Sequence, residues 1–234
     1  MNPLQETNQK SLWEKERKKH DLKIPDESVV RFLYKSFTDA NDKKILDFGC
    51  GSGRNTMVMA NMGFLIYAMD YNSICLELTK EKLDSIEYEK IEYIQNEKMS
   101  IPLPTASMDC IIAWGVLFTF TQKEREAFLK EMNRVLKVGG VLFADYRTKE
   151  DSMYGSGKEI EKDLFCLDEK VGDLKGMIYW FCSREELTSL YCKTNGFEIY
   201  NLEQKDYLIH NLSIKNSHFH IWVRKVGNIN ESEN

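Results

Sequence analysis

The 234-residue chain lacks several features that mark particular protein classes. Its longest apolar run, around residues 110–118, is about half the length that a bilayer-spanning helix needs. Residues 1–7 are polar and lack the charged-then-apolar pattern of a secretory signal. The six cysteines contain no C-x-x-C pair, which predicts reduced thiols in the cytoplasm and no disulfide framework or metal site. They are Cys50, Cys75, Cys110, Cys166, Cys182 and Cys192.

An excess of positive charge is also missing. Lys and Arg number 32 against 37 Asp and Glu, which gives a formal net charge of −5 and a pI near 5.6. Proteins dedicated to long RNA or DNA present a basic face. The composition therefore disfavours a long nucleic acid as partner, and the short basic run at residues 15–19 is interpreted as a solvated helix face. Neither a membrane nor an internal repeat is indicated.

What the sequence does contain is a glycine-rich turn directly after an apolar strand. Residues 44–48 (KILDF) precede three glycines at alternate positions: Gly49, Gly51 and Gly53. Glycine lacks a Cβ, so the backbone can turn sharply there and lie against a ligand. A nicotinamide or flavin dinucleotide is the competing ligand, but its fingerprint is G-x-G-x-x-G, and Arg54 occupies the sixth position here. Asp47 would also repel a pyrophosphate, which favours a cationic or zwitterionic ligand.

More motifs follow in order. An apolar run at residues 63–69 ends in Asp70, which lies 23 residues after Asp47. A β-α-β unit places at this position the acid that accepts from ribose hydroxyls. Residues 93–109 (YIQNEKMSIPLPTASMD) come next, and then a fourth apolar strand at residues 108–113.

Together these motifs resemble the class I S-adenosylmethionine-dependent methyltransferases of the small-molecule type, closely over residues 44–146. The turn D-x-G-x-G-x-G resembles the family's first motif, and residues 93–109 resemble its G-D-x-x-x-L-P-F-x-x-x-S-F-D stretch. Two positions depart from the pattern. Glu97 stands where an Asp is usual, and residues 136–140 read LKVGG in place of LKPGG, which removes the preset φ of proline.

The resemblance implies S-adenosyl-L-methionine as cofactor and assigns residues to it. The glycine turn would cradle the methionine portion, and Asp70 would hold the ribose. Tyr71, Glu97 and Lys98 would flank the adenine, and Arg54 or a basic residue of an N-terminal helix would meet the methionine carboxylate. Two aromatic residues would close the pocket. The full expected set is Asp47, Gly49, Gly51, Gly53, Arg54, Asp70, Tyr71, Glu97, Lys98, Trp114 and Phe118.

The acceptor is expected to meet the segment 147–182, which follows the fifth strand at the same crevice. This segment is long, aromatic and punctuated by glycine, as a substrate lid is; the alternative is a structural excursion that caps the sheet. Arg147 and Lys158 would hold an anionic group. The expected substrate residues are Arg147, Tyr154, Lys158 and Trp180. An alcohol acceptor needs a general base, for which the candidates are Asp145, His20, His210, His218 and His220.

Strand and helix periodicity predicts an α/β fold: a doubly wound, mostly parallel, seven-stranded Rossmann-like sheet with N-terminal helices and a lid insertion after strand 5. Capping boxes predict helices from Thr121 and from Ser183. The last strand is expected to run antiparallel. The expected organisation is a single domain, 1–226, with a flexible tail, 227–234. Its parts are an N-terminal helical cap (1–40), a cofactor-binding core (41–146), a substrate lid (147–182) and a C-terminal helix and strands (183–226).

The sequence therefore predicts a cytoplasmic S-adenosylmethionine-dependent methyltransferase that acts on a small molecule, such as a sugar or an anionic metabolite, at oxygen or nitrogen. A different class of function is a non-catalytic S-adenosylmethionine-binding module or partner subunit. A third is an RNA or protein methyltransferase. The acidic composition disfavours it, and the loop after the fourth strand lacks the D/N-P-P-Y/F signature of amino-group nucleic-acid methyltransferases.

Overall fold

The computed structural model describes residues 9–15, 22–194 and 196–227. Its helices are α1 (residues 9–15), α2 (Glu27–Ser36), α3 (Arg54–Met62), α4 (Ser73–Asp84), α5 (Gln122–Val135) and α6 (Arg184–Lys193). Its strands are β1 (Lys44–Phe48), β2 (Leu65–Asp70), β3 (Ile91–Gln95), β4 (Met108–Ala113), β5 (Leu136–Thr148), β6 (Lys158–Glu161), β7 (Leu164–Cys166), β8 (Ile178–Cys182), β9 (Phe197–Ile209) and β10 (Ile214–Lys225).

The predicted mostly parallel α/β sheet is confirmed. Strands β3, β2, β1, β4 and β5 lie side by side in that order and run parallel. The last strand, β10, pairs antiparallel with β5 and carries β9 on its other edge. The strand order reverses between β1 and β4, so the carboxyl ends of these two strands open a crevice there, where ligands of doubly wound sheets bind.

The predicted number of seven strands is wrong, because the sheet has ten strands within the described residues. The three additional strands, β6 to β8, come from the segment that follows β5. Strand β5 runs past the last paired residue of β4, Ala113, so its continuing edge is open to another strand. Strand β8 takes this place, with Arg147 opposite Phe181. Strand β5 begins at Leu136 and so includes the LKVGG segment.

Alternate strand residues point into two separate cores, as the period of two in a strand requires. Leu46 and Leu142 face one core, which is covered by α5 and α6. Ile45 and Phe143 face the other, which is covered by α2, α3 and α4. Helices therefore cover both faces of the sheet.

Local signals set the helix ends. Thr121 and Glu124 form a capping box at the start of α5, and Ser183 and Glu186 form a second at α6, both as predicted. The two predicted N-terminal helical pieces correspond to α1 and α2 within the described residues. His20, residues 16–19 of the basic run and residues 228–234 of the predicted tail lie outside them. In the part of the chain that is described, no helix has both the length and the apolar character to cross a membrane.

Candidate functional site

The glycine turn after β1 has a backbone conformation that favours glycine. The φ angles of Gly49, Gly51 and Gly53 are 73°, 57° and 81°. The N–H groups of Gly49 and Cys50 both donate to the Met69 carbonyl, at 2.8 and 3.1 Å, which ties the turn to β2. A Cβ on Gly49 would lie 2.9 Å from Val116 Cγ2. At Gly49, the turn can lie this close to Val116 only because glycine has no side chain.

Asp70, at the end of β2, is held in a fixed orientation. Its Oδ2 accepts from the Gly51 N–H at 3.0 Å, and its Oδ1 accepts from the Asn72 N–H at 2.9 Å. The carboxylate also lines the larger of two cavities. Each carboxylate oxygen has more than one acceptor site, so both keep capacity for hydroxyl donors from a ligand.

Asp47 is placed differently, beneath the glycine turn. Its side chain is buried and accepts from Thr56 Oγ1 of α3 at 2.6 Å. The pKa of this carboxyl is raised to about 7. Burial is the main cause and the nearby Asp70 charge adds to it, while the Thr56 hydrogen bond acts in the opposite direction. Asp47 is absent from the lining of the larger cavity. It joins β1 to the first turn of α3.

The larger cavity, which we call the turn cavity, has a volume of about 540 Å³. It brings together seven of the residues that the sequence assigned to the cofactor: Gly49, Gly51, Asp70, Tyr71, Glu97, Lys98 and Trp114. They come from the ends of β1, β2, β3 and β4, which meet at the crevice. Gly53 instead caps α3, and Arg54 and Phe118 line the smaller cavity.

Helix α1 supplies three residues to the turn cavity. From the sequence, only one unspecified basic side chain was expected there. Gln9, Lys10 and Trp13 line the turn cavity. Lys10 Nζ lies 2.6 Å from Glu97 Oε1, and Gln9 Nε2 donates to the Gly176 carbonyl at 2.6 Å. The helix thus bridges the loop after β3 and the segment between β7 and β8. Its periodicity indicates a helix, but no local signal indicates where that helix docks.

The smaller cavity, which we call the histidine cavity, has a volume of about 290 Å³. It shares Trp13, Trp114 and Gly115 with the turn cavity, so the two meet at the loop after β4. Its other lining residues include Asp145, Arg147, His218 and His220. Gly115 has a φ of 74°, and no atom lies within 4 Å of the position that a Cβ would take there.

Asp145 is the most strongly held acid of the histidine cavity. Its Oδ1 accepts from the Gly115 N–H at 2.5 Å, and its Oδ2 lies 3.2 Å from His218 Nδ1. Burial alone would raise the pKa of Asp145, but the hydrogen bond and charge of His218 and the Gly115 N–H outweigh it and leave the pKa below its ordinary value. Asp145 is therefore an ionised carboxylate at neutral pH.

His220 lies two residues further along β10, beside the same carboxylate. Its side chain is 2% exposed and packs edge-on against Trp114, with ring centroids 4.9 Å apart. Burial lowers the pKa of His220 to about 4, so its imidazole is neutral at physiological pH. Its Nδ1 has no hydrogen-bond partner among the described residues. Such an orphaned buried nitrogen is costly unless a ligand completes it.

Arg147 lines the histidine cavity, but its charge is already matched. Its Nη1 lies 2.7 Å from Asp151 Oδ2, and this carboxylate is fully buried. The guanidinium also stands over the rings of Phe118 and Tyr179, at 5.5 and 5.0 Å from their centroids. Arg147 is thus a wall of the cavity rather than an isolated cation.

The structure places the other assigned residues away from both cavities. Trp180 is buried, with the Arg125 guanidinium 3.9 Å above its ring. Tyr154 donates its hydroxyl to Asp163 Oδ1 at 2.8 Å. Lys158 is an exposed residue of β6, and His210 lies in the exposed turn between β9 and β10. In the described parts of the chain, no group of three or more His, Cys, Asp or Glu side chains is arranged to hold a metal ion.

Comparison with known proteins bears on this geometry. Residues 46–144 match the family described as "Methyltransferase domain". A SAM-dependent methyltransferase from Methanosarcina mazei has the same fold, with a TM-score of 0.71 and 23% identity over 83% of this chain and 97% of that one. Residues 46–144 of the chain are thus a methyltransferase domain, and the fold around them is that of the class I S-adenosylmethionine-dependent methyltransferases. The expected family and its cofactor, S-adenosylmethionine, are thereby confirmed, and the dinucleotide alternative is not supported.

Other similar proteins differ in their acceptors. The 1,6-didemethyltoxoflavin-N1-methyltransferase of Burkholderia thailandensis, solved with its acceptor and S-adenosylhomocysteine, has a TM-score of 0.64 and 15% identity, over 86% of this chain and 78% of that one. Curated relatives include the tRNA N(3)-cytidine methyltransferases METTL2 of Gallus gallus (23% identical) and METTL2B of Homo sapiens (26%). Each alignment covers 77% of this chain, and the chain spans about half the length of these relatives.

Proposed function

We propose that this protein transfers the methyl group of S-adenosylmethionine to an acceptor bound in the histidine cavity. One observation carries the proposal: the turn cavity and the histidine cavity meet at Trp114 and Gly115. A ligand in each would approach the other at this junction. The linings of the two cavities indicate which residues would hold each ligand.

The turn cavity fits the cofactor. Asp70, oriented by two backbone N–H groups, would accept from the ribose hydroxyls, and the bare backbone of Gly49 and Gly51 would lie along the methionine portion. Tyr71 and Lys98 would flank the adenine. We assign Asp47 a supporting role, because its carboxyl is occupied by Thr56 beneath the turn. Gly53 likewise supports the turn as the N-cap of α3.

The bound cofactor supplies an electrophilic methyl group, so the protein has to align an acceptor and exclude water. Helix α1 contributes to that exclusion, since Trp13 lines both cavities. Trp114 also lines both cavities and would contribute to the same exclusion. Phe118 and Arg54 would act on the acceptor side of this junction, because they line the histidine cavity alone.

We propose a small molecule as the acceptor. A cavity of about 290 Å³ accommodates a ligand of one or two rings. An anionic acceptor has less support than the sequence suggested, because Arg147 is paired with Asp151 and Lys158 lies elsewhere. A cytoplasmic location is part of the proposal, supported by a sequence with six cysteines and no C-x-x-C pair. The single-domain organisation over residues 1–226 is also proposed, with residues 147–182 as part of the acceptor wall.

RNA is a second candidate acceptor, favoured by the curated relatives that are named tRNA N(3)-cytidine methyltransferases. A cytosine flipped out of an RNA strand would also fit a cavity of this size. The net charge of −5 opposes this candidate, since RNA affinity rests largely on phosphate contacts. A cofactor-binding module without turnover would show neither reaction.

The experiment that tests the proposal is a transfer assay with S-adenosylmethionine labelled in the methyl group. The purified protein is incubated with a small-molecule extract and, separately, with total tRNA at two salt concentrations. Label in the small-molecule fraction supports the main proposal, and salt-sensitive label in tRNA supports the second candidate. Label in neither fraction, together with tight binding of S-adenosylhomocysteine, would indicate the non-catalytic module. Asp70→Ala serves as the inactive control.

A further inference from the structure

The wall of the histidine cavity carries a hydrogen-bonded acid and imidazole, Asp145 and His218. They come from neighbouring antiparallel strands, β5 and β10, so the sheet itself fixes their separation. Asp145 is buried, and a second hydrogen bond from the Gly115 N–H restrains it. With Nδ1 of His218 directed at the carboxylate, the tautomer that places hydrogen on Nδ1 is favoured. The other ring nitrogen, Nε2, is then the one that can accept a proton.

The other charged groups near this pair are matched only in part. Arg147, opposite His218 on β5, is paired with Asp151, whereas Lys205, opposite His218 on β9, keeps its positive charge and donates to the neutral Ser28 Oγ at 3.0 Å. The titratable and charged side chains that surround the pair or line the same cavity are Asp26, Arg54, Arg147, Tyr179, Lys205, Tyr207 and His220. Asp145 is the carboxylate that holds His218, with Oδ2 3.2 Å from Nδ1.

The remaining walls suit a flat ring. Trp114, Phe118 and Tyr179 present aromatic surfaces to the cavity, and the Phe118 and Tyr179 rings meet edge to face with centroids 5.0 Å apart. Against these apolar walls stands His220, 98% buried, whose Nδ1 has no partner among the described residues.

We propose that the histidine cavity takes a planar ring bearing an ionisable O–H or ring N–H, and that His218 removes this proton for methyl transfer. Asp145 is the positioning residue that holds the imidazole. The inference rests on the proposed function and names the acceptor class of that site. It separates two chemistries, because N3 of a neutral cytosine carries a lone pair and no proton to remove.

The proton and electron balance of the step is complete. The acceptor O–H or N–H bond breaks, and its proton joins His218 Nε2. The acceptor atom then bonds to the methyl carbon as the carbon–sulfur bond breaks, with that electron pair staying on sulfur. The imidazolium later releases its proton to solvent. The products are the methylated acceptor and S-adenosylhomocysteine, and no further reactant is needed.

A binding experiment tests this with 4-nitrophenol, whose ionised form absorbs at a longer wavelength than the neutral phenol. The protein is saturated with S-adenosylhomocysteine, and the absorbance of the bound probe is followed against pH. We expect the apparent pKa of the bound probe to fall by at least about one unit, a tenfold change in its ionisation constant. 4-Nitroanisole, which has the same shape and no ionisable proton, is the matched probe for binding alone.

Variants assign the effect. His218→Gln should still bind 4-nitroanisole and should leave the pKa of bound 4-nitrophenol at or above its value in water, because burial and the Asp145 charge both disfavour the phenolate, and Asp145→Asn should reduce the wild-type shift. His210→Gln, the same change in the exposed β9–β10 turn, should leave it intact. Because Asp145 is buried, NMR titration of the wild-type histidines provides a second readout: the His218 ring should become protonated when 4-nitrophenol binds.

The outcomes distinguish this inference from the proposed function. An equal probe pKa shift in wild type and His218→Gln overturns the inference. A wild-type protein that binds S-adenosylhomocysteine but neither binds nor ionises 4-nitrophenol also overturns it, and leaves the cofactor assignment standing. Failure of the wild type to bind S-adenosylhomocysteine overturns the proposed function itself.

Discussion

Replacing Gly49 with alanine tests whether the glycine turn is shaped by backbone conformation alone or also by close packing. Two costs are expected. An L-residue in the left-handed region loses roughly 1–2 kcal/mol, and Gly49 has a φ of 73°. The added methyl group would also lie 2.9 Å from Val116 Cγ2, an overlap of the kind that costs roughly 1–3 kcal/mol. The free energy of unfolding should therefore fall by roughly 2–5 kcal/mol.

Gly139→Ala is the matched control. Gly139 has a φ of 80°, and no atom lies within 4 Å of its Cβ position, so only the backbone cost of roughly 1–2 kcal/mol applies. Urea unfolding followed by tryptophan fluorescence measures both variants. The double variant Gly49→Ala, Val116→Ala should recover part of the packing cost in a double-mutant cycle. Equal destabilisation by Gly49→Ala and Gly139→Ala would refute the packing argument.

Binding provides the second readout for the same variants. Gly49 and Val116 both line the turn cavity, so a displaced Val116 side chain narrows the space for the cofactor. We expect Gly49→Ala to bind S-adenosylhomocysteine at least about tenfold more weakly, a loss of roughly 1.4 kcal/mol. Gly139 lies outside the cavity lining, so its variant should bind with unchanged affinity.

Three further predictions concern single side chains. Asp47→Asn should exceed wild type in unfolding free energy by roughly 2–4 kcal/mol at pH 8 and match it near pH 4. The reason is that the folded-state pKa of Asp47, about 7, lies above the ordinary 3.8, so the wild-type unfolding free energy falls as pH rises from about 4 to 7. An equal difference between the two proteins at every pH in urea unfolding would contradict this. Thr121→Ala should cost about 1 kcal/mol in urea unfolding through loss of the α5 cap, whereas Thr121→Ser should cost little. Trp13→Ala should weaken S-adenosylhomocysteine binding about tenfold in calorimetry, since Trp13 lines both cavities, while Trp13→Phe should retain most affinity. Equal affinities of Trp13→Ala and the wild type would argue against closure by α1.

Much of the fold follows from local sequence signals. The capping box at Thr121 acts through residues three positions apart, so a sequence motif contains all the chemistry involved. The parallel pairing of β1 to β5 is favoured by strand and helix alternation, because neighbouring parallel strands need long crossover connections. These are the elements for which the sequence and the structure agree.

The differences arise where distant segments meet. Strand β8 pairs with β5 because β5 outruns β4, and the relative lengths of two strands are a tertiary property. Lys10 and Glu97 likewise lie far apart in sequence but form an ion pair in the structure, and no spacing rule links them. The Arg147–Asp151 pair is local in sequence, but the burial of the Asp151 carboxylate depends on the whole fold.

The acids of the site show the limit most clearly. In sequence, Asp47 and Asp70 are both acids at strand ends before a turn. In the structure, Asp47 is buried against Thr56, whereas Asp70 lines the turn cavity with its oxygens fixed by backbone N–H groups. The difference depends on which way each side chain leaves its strand and on what packs over it. Sequence reasoning therefore identified the region of the site more reliably than the role of each residue.

Calorimetric titration with S-adenosylhomocysteine tests whether the turn cavity binds S-adenosylmethionine through Asp70. NADH is the control ligand, and Asp84→Ala, which replaces an exposed acid of α4 paired with Lys80, is the control variant. We expect binding to the wild type and to Asp84→Ala, no binding of NADH, and at least about a 100-fold loss in Asp70→Ala, from two lost hydrogen bonds to a charged acceptor. Absence of heat with S-adenosylhomocysteine, preference for NADH, or unchanged affinity in Asp70→Ala would contradict it.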